Sequence, residues 1–120
     1  MDASREGLLD ADITHVISNR QDAYGLERAR SAGVNCTVLP HQEFSSRESF
    51  DQALGLLIAA QQPDLVVLAG FMRIIGPAAL HSHAAPMINL HPSLLPLYRG
   101  TDTYARALAA GDQQHGASIH

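Results

Sequence analysis

Two polar side chains that could support acyl transfer lie two residues apart, at Asn89 and His91. Acyl transfer needs a hydrogen-bond donor for the developing oxyanion, and a group that moves a proton from the attacking nitrogen to the leaving nitrogen. The Asn89 amide can supply the donor. An imidazole, with a reference pKa of about 6.5, can hold or release a proton near neutral pH. This chemistry requires no nucleophilic side chain.

The elements around this pair indicate how it would be held. The apolar segment Met87–Leu90 predicts a strand that ends at the pair, and Pro92 and Pro96 stiffen the loop that follows. Strands that alternate with helices favour a parallel α/β sheet, in which ligands collect at the carboxyl ends of the strands. An arbitrary Asn-x-His pair is nevertheless most often a turn residue and a loop histidine, so the spacing alone does not establish a site.

Periodicity and capping residues divide the rest of the chain into short elements. A continuous apolar run at Leu65–Ala69 predicts a central strand covered on both faces, and Ser45 with Glu48 predicts a capping box at a helix that runs to about Gln62. The remaining predicted strands and helices are strands at Ile13–Ser18, Val34–Leu39 and Gly116–His120, and helices at Ala23–Ala32, Gly76–His83 and Thr103–Ala110.

Length and composition indicate one globular domain over residues 1–120. The chain has 46% hydrophobic residues and a formal net charge of −4, and its few basic residues are scattered. This composition disfavours nucleic acid and anionic membranes as partners. Apolar runs are too short to span a bilayer, Cys36 is the single cysteine, and no secretory signal opens the sequence, so we expect a cytoplasmic protein.

The segment Asn89–Pro96 resembles the signature of the folate-dependent formyltransferases, which use 10-formyltetrahydrofolate. Further segments resemble the same family in the same order, so the similarity covers nearly the whole chain. These segments are Ser18–Arg20, Asp22–Ala29, Ser46–Glu48, Leu68–Ile75, Ala107–Asp112 and His115–Gly116. The flanking segments favour the branch of the family that formylates glycinamide ribonucleotide in purine synthesis.

The resemblance implies a Rossmann-like formyltransferase fold, in which helices flank a mostly parallel central sheet, here present in part. It implies that Asn89 stabilises the oxyanion and contacts the folate, and that His91 donates and relays a proton. It also implies that the folate pteridine lies against Met72, Arg73, Ile74 and Ile75, with Arg47 nearby. A solvated Arg47 in the first turn of a helix, and core packing of Met72 and Ile74, are the alternatives.

Two features of the family have no match in this sequence. One is a glycine- and serine-rich loop that holds the ribonucleotide phosphate at a helix N-terminus. The other is an aspartate a few residues beyond the position of His120. The residues Met1–Ala3 resemble the end of the helix after the phosphate loop. We therefore expect a fragment of the catalytic domain that lacks the first strand and the C-terminal part. Asp102 and Tyr104 stand where histidine is common.

The sequence alone does not decide between several functions. The family also contains methionyl-tRNA formyltransferase and formyltetrahydrofolate hydrolase, and a non-catalytic fragment that at most binds folate is a further alternative. His81 and His83 lack nearby ligands in a recognisable spacing, so we expect surface residues and no metal site. Cys36 is expected to be a small buried hydrophobe, and His15, His41 and His115 to be surface or loop residues. No dinucleotide fingerprint is present, so the sequence does not imply NAD.

Overall fold

A computed structural model describes residues 1–120, which form two compact units. The first unit comprises residues 1–63 and 75–84, and the second comprises residues 64–74 and 85–120. The helices are α1 Asp2–Arg5, α2 Tyr24–Ser31, α3 Arg47–Gln61, α4 Pro77–Leu80 and α5 Thr103–Ala110. The strands are β1 His15–Ser18, β2 Asn35–Val38, β3 Val66–Ala69, β4 Met87–His91 and β5 Ser118–Ile119.

The first unit contains a parallel pair of strands, β1 and β2, in register from His15 opposite Asn35. Helix α2 contacts both strands and fully buries Leu26 and Ala29, which lie three residues apart on one face. The helix prediction for this segment is confirmed, and Gly33 takes the left-handed conformation, with a φ of 73°, just beyond the helix end.

Helix α3 is the longest helix, and it buries Phe50, Leu54 and Ile58 at a spacing of four residues. Its capping box consists of Ser46 and Ser49, so the predicted box of Ser45 and Glu48 is wrong by one residue. The reason is that the helix begins at Arg47. The last residue with extended backbone is then Ser46, whose hydroxyl accepts from the Ser49 N–H at 3.1 Å.

The second unit contains a mixed sheet in the order β3-β4-β5. Strands β3 and β4 are parallel as predicted, but β5 is antiparallel to β4. Asn89 and His120 exchange both backbone hydrogen bonds, at 2.7 and 3.1 Å, which is the pattern of an antiparallel pair. The prediction of a covered central strand is wrong for β3: it pairs on one side only, and the side chain of Val67 is 56% exposed.

Candidate functional site

Asn89 lies on β4, on the same face as His91, because side chains two residues apart on a strand point the same way. Its side-chain amide donates a hydrogen bond to Nε2 of His120 at 2.9 Å. The backbone of the same two residues forms the antiparallel pair at the end of the sheet. An amide nitrogen carries two hydrogens, so one N–H orients Asn89 and the other remains for an incoming oxygen.

His91 is held by the loop that follows β4. Its Nε2 lies 3.1 Å from the backbone carbonyl oxygen of Tyr98. A carbonyl oxygen only accepts hydrogen bonds, so Nε2 carries the proton of this contact. The ring of His91 stands edge-on to the ring of His120, with centroids 6.4 Å apart. The candidate pair is therefore restrained on both sides, Asn89 through β5 and His91 through the loop.

The loop after β4 is fastened to β5 by two serines. Ser93 is fully buried, and its hydroxyl donates to the Leu97 carbonyl oxygen at 2.7 Å. The hydroxyl of Ser118, on β5, donates to the Ser93 carbonyl oxygen at 2.8 Å and accepts from the Leu95 N–H at 3.0 Å. These bonds satisfy backbone groups that have no sheet partner. They also determine where the loop runs after His91.

Tyr98 is anchored through its side chain as well. Its φ is 52°, a left-handed conformation that is unusual for a residue other than glycine. The Tyr98 hydroxyl donates to the Asp112 carboxylate at 2.6 Å, and the Arg106 guanidinium lies 5.5 Å from the ring centroid. The hydrogen bond to the carboxylate, together with burial, raises the pKa of the Tyr98 phenol.

His115 lies in the loop between α5 and β5, which agrees with the prediction of a surface or loop residue. Its ring packs on Tyr104 with centroids 4.6 Å apart, and its Nε2 is buried without a hydrogen-bond partner. Both ring nitrogens of His83 are likewise buried without a hydrogen-bond partner, and the residue is partly buried, whereas the sequence predicts a surface residue.

The segment expected to contact the folate is partly exposed. Met72 and Ile74 are 70% and 77% exposed, which excludes the alternative that they form the core. Met72 lines a cavity of about 360 Å³ together with Pro92, directly after His91, and the residues of the 100–105 segment. Within the second unit, this cavity places an apolar surface next to the loop of the candidate pair.

Arg47 begins α3 in the first unit, and its side chain does not stand alone in solvent. Its Nε lies 3.8 Å from the carboxylate of Asp51, one helical turn further on. The same oxygen of Asp51, which is 5% exposed, accepts a hydrogen bond at 3.1 Å from the N–H of Gly76. Gly76 directly follows Ile75, the last residue of the expected folate segment. The alternative of a simply solvated Arg47 is therefore disfavoured.

Sequence reasoning missed the residues that hold the pair in place. His120 and Ser118 were seen only as part of a strand, and Tyr98 and Asp112 received no role. Residues two apart along an extended segment lie on the same face of a sheet, so Ser118 and His120 were detectable as two polar residues on one face. The Tyr98–Asp112 contact joins residues 14 apart across a helix, and no local pattern signals it.

Two further structural findings concern the whole chain. No group of three or more His, Cys, Asp and Glu side chains is arranged to hold a metal ion. The chain has no helix with the length and apolar character needed to cross a bilayer.

Comparison with known proteins identifies relatives over the full length of the chain. A family profile described as "Formyl transferase" matches residues 1–120. The phosphoribosylglycinamide formyltransferase of Escherichia coli is 46% identical over 120 residues, which are all of this chain and 57% of that protein. The corresponding enzyme of Haemophilus influenzae is 43% identical with the same coverage. The chain thus spans a little over half the length of these relatives.

Solved structures agree with these matches. A glycinamide ribonucleotide transformylase of Symbiobacterium toebii superposes with a TM-score of 0.93 at 41% identity, covering 99% of this chain and 56% of that one. The phosphoribosylglycinamide formyltransferase of Coxiella burnetii, solved with CHES, gives 0.89 at 48% identity and the same coverage. The Rossmann-like formyltransferase fold expected from the sequence is confirmed, in part of its length. The chain belongs to the formyl transferase family.

Proposed function

We propose that this chain carries the formyl-transfer site of an enzyme that moves a formyl group from 10-formyltetrahydrofolate to the amine of glycinamide ribonucleotide. The observation that carries the proposal is the placement of Asn89 and His91 on one face of β4, each held by a separate hydrogen bond. The names of the similar proteins support the same reaction. The chain would then form one part of a longer catalytic domain.

The reaction needs a fixed donor and a mobile proton, and the pair offers both. The substrate amine attacks the formyl carbon, a new carbon–nitrogen bond forms, and the bond from that carbon to the folate nitrogen breaks. The second N–H of Asn89 would stabilise the negative oxygen of the tetrahedral intermediate. The His91 imidazole would take the proton from the amine and deliver it to the folate nitrogen that leaves. The transfer therefore requires no covalent intermediate with the enzyme.

The folate is proposed to lie against the exposed apolar side chains of Met72 and Ile74, with Arg73, Ile75 and Asn89 completing the pteridine contacts. Met72 and Pro92 line the cavity of about 360 Å³, a volume that suits part of a small ligand. A guanidinium such as that of Arg47 pairs well with a carboxylate of a folate tail. The pteridine ring would then lie beside the loop that follows His91.

The experiment that tests the function is an assay of the 120-residue chain with 10-formyltetrahydrofolate and glycinamide ribonucleotide, in which release of tetrahydrofolate is followed. We expect Asn89→Ala and His91→Ala each to lower turnover by about 100-fold or more. Tyr24→Phe is the matched control, because Tyr24 lies in the first unit with its side chain 72% exposed. Equal turnover in the wild-type protein and both site variants would contradict the proposal.

The same assay separates the alternatives. Formyl transfer to methionyl-tRNA in place of the ribonucleotide would favour a tRNA-specific enzyme, and release of formate to water would favour a hydrolase. Titration calorimetry with 10-formyltetrahydrofolate distinguishes a binder from an enzyme. Heat of binding without turnover in any assay would indicate a chain that binds folate but does not catalyse transfer.

A further inference from the structure

A connected set of interactions runs through the segment from Tyr98 to Asp112, which contains α5, and reaches the ring of His91 on β4. The Tyr98 hydroxyl donates to Asp112 at 2.6 Å, and Arg106 lies against the Tyr98 ring. Arg106 also donates to the backbone carbonyl oxygens of Arg99 and Thr101, at 2.6 and 3.4 Å. One arginine on α5 thus fixes both the ring of Tyr98 and the backbone just beyond it.

These contacts fix the position of the backbone carbonyl group of Tyr98. The left-handed φ of Tyr98 sets the direction of the adjacent peptide units and needs support from its surroundings, since a tyrosine does not favour that conformation. The hydroxyl of Tyr98 is tied to Asp112, at the end of α5, so the residue is held at both its ring and its main chain. The carbonyl oxygen therefore meets Nε2 of His91 in a fixed position.

We infer that Tyr98, anchored by Asp112 and Arg106, is a positioning residue that keeps the proton of neutral His91 on Nε2 and so reserves Nδ1 for proton transfer. Tyr98 acts through its backbone carbonyl and does not touch the reacting atoms. A neutral imidazole has one donor and one acceptor nitrogen, so occupation of Nε2 by a carbonyl leaves Nδ1 as the acceptor. When His91 is protonated, Nδ1 becomes the donor to the leaving nitrogen.

The role in proton transfer rests on the proposed function, but the hydrogen bond does not. Two measurements keep them separate. The first is NMR of the chain labelled with ¹⁵N-histidine, in which His91→Gln assigns the ring signals of His91. We expect a protonated Nε2 whose hydrogen exchanges slowly with solvent, because the carbonyl covers it. The second is steady-state kinetics of formyl transfer.

The informative variant is Tyr98→Phe, which removes the hydroxyl that reaches Asp112 and keeps the ring beside Arg106. We expect the Nε2 hydrogen of His91 to exchange faster and kcat to fall about tenfold with an unchanged KM, because a misplaced catalytic group affects the chemical step. Asp112→Ala should have the same effect, and the double variant should be no worse than either single one. Tyr24→Phe, outside this set, should change neither measurement.

Several results would overturn the inference. One is an Nε2 of His91 that carries no proton in the neutral wild-type chain. Another is a slowly exchanging Nε2 hydrogen that both Tyr98→Phe and Asp112→Ala leave unchanged. Should Asp112→Ala fail to fold, as judged by circular dichroism, Tyr98→Phe alone decides the question. A wild-type chain without turnover would contradict the proposed function, while the imidazole signals would still test whether Tyr98 holds His91.

Discussion

Replacing Ser118 with alanine is expected to loosen the loop that carries the candidate site. The Ser118 hydroxyl makes two hydrogen bonds, one to the Ser93 carbonyl oxygen and one from the Leu95 N–H. Both backbone groups are partly buried, and neither has a strand partner in the sheet. Ser118→Ala leaves them without a protein partner, because a methyl group neither donates nor accepts.

The magnitude follows from the number of bonds lost. A hydrogen bond between neutral groups contributes about 1 kcal/mol net, and buried groups left unsatisfied lose more, so two bonds amount to about 2–3 kcal/mol. For a chain of this size, 1 kcal/mol corresponds to a shift in melting temperature of about 3–6 °C. We therefore expect Ser118→Ala to melt about 6–18 °C below the wild-type chain.

Urea unfolding followed by circular dichroism measures the free energy, and Ser118→Thr tests the reason, because threonine restores the hydroxyl. Ser31→Ala is the matched control, since Ser31 is an exposed serine of α2. A loss of less than about 0.5 kcal/mol in Ser118→Ala would refute the reasoning, since surface substitutions have effects of that size. So would a Ser118→Thr variant as unstable as the alanine variant.

Three further outcomes are expected. Gly55→Ala should destabilise the chain, because the added Cβ would lie 2.6 Å from the Cβ of Ser82, whereas Gly25→Ala meets open space and should not; thermal melting compares them. Asp51→Ala should lower the unfolding free energy by about 1–3 kcal/mol, because it leaves the Gly76 N–H unsatisfied, and urea titration measures this. The raised pKa of Tyr98 adds stability that is present below the ordinary tyrosine pKa and is lost as pH rises through the raised value. Absorbance titration should show an ionisation above the ordinary tyrosine pKa, and Tyr98→Phe should remove that step.

The bounds of helices and strands were predicted well wherever a local sequence pattern determines them. Helix α5 has the predicted bounds, Thr103–Ala110, with Gly111 in a left-handed conformation after it, and β4 extends to His91, one residue beyond the predicted strand. Local patterns set these bounds because helix periodicity and a C-terminal glycine act within a few residues. The predicted capping box was wrong by one residue, because the neighbouring residues Ser45 and Ser46 are almost equally suitable N-caps for α3.

The supports of the candidate site could not be predicted in the same way. The partner of Asn89, His120, is 31 residues away and directly follows the antiparallel strand β5, and strand direction is not encoded in the residues of a two-residue strand. His91 is held by a backbone carbonyl, a group that every residue possesses. Only the course of the loop through Tyr98 selects which carbonyl it is.

The bond between Asn89 and His120 fixes the polarity that Asn89 presents to a ligand. An amide can rotate by half a turn and exchange its positive nitrogen end for its negative oxygen end with little change in shape. The lone pair on Nε2 of His120 selects the orientation in which the nitrogen faces the imidazole. One nitrogen of His120 thereby decides which end of the Asn89 amide lies at this position of the site.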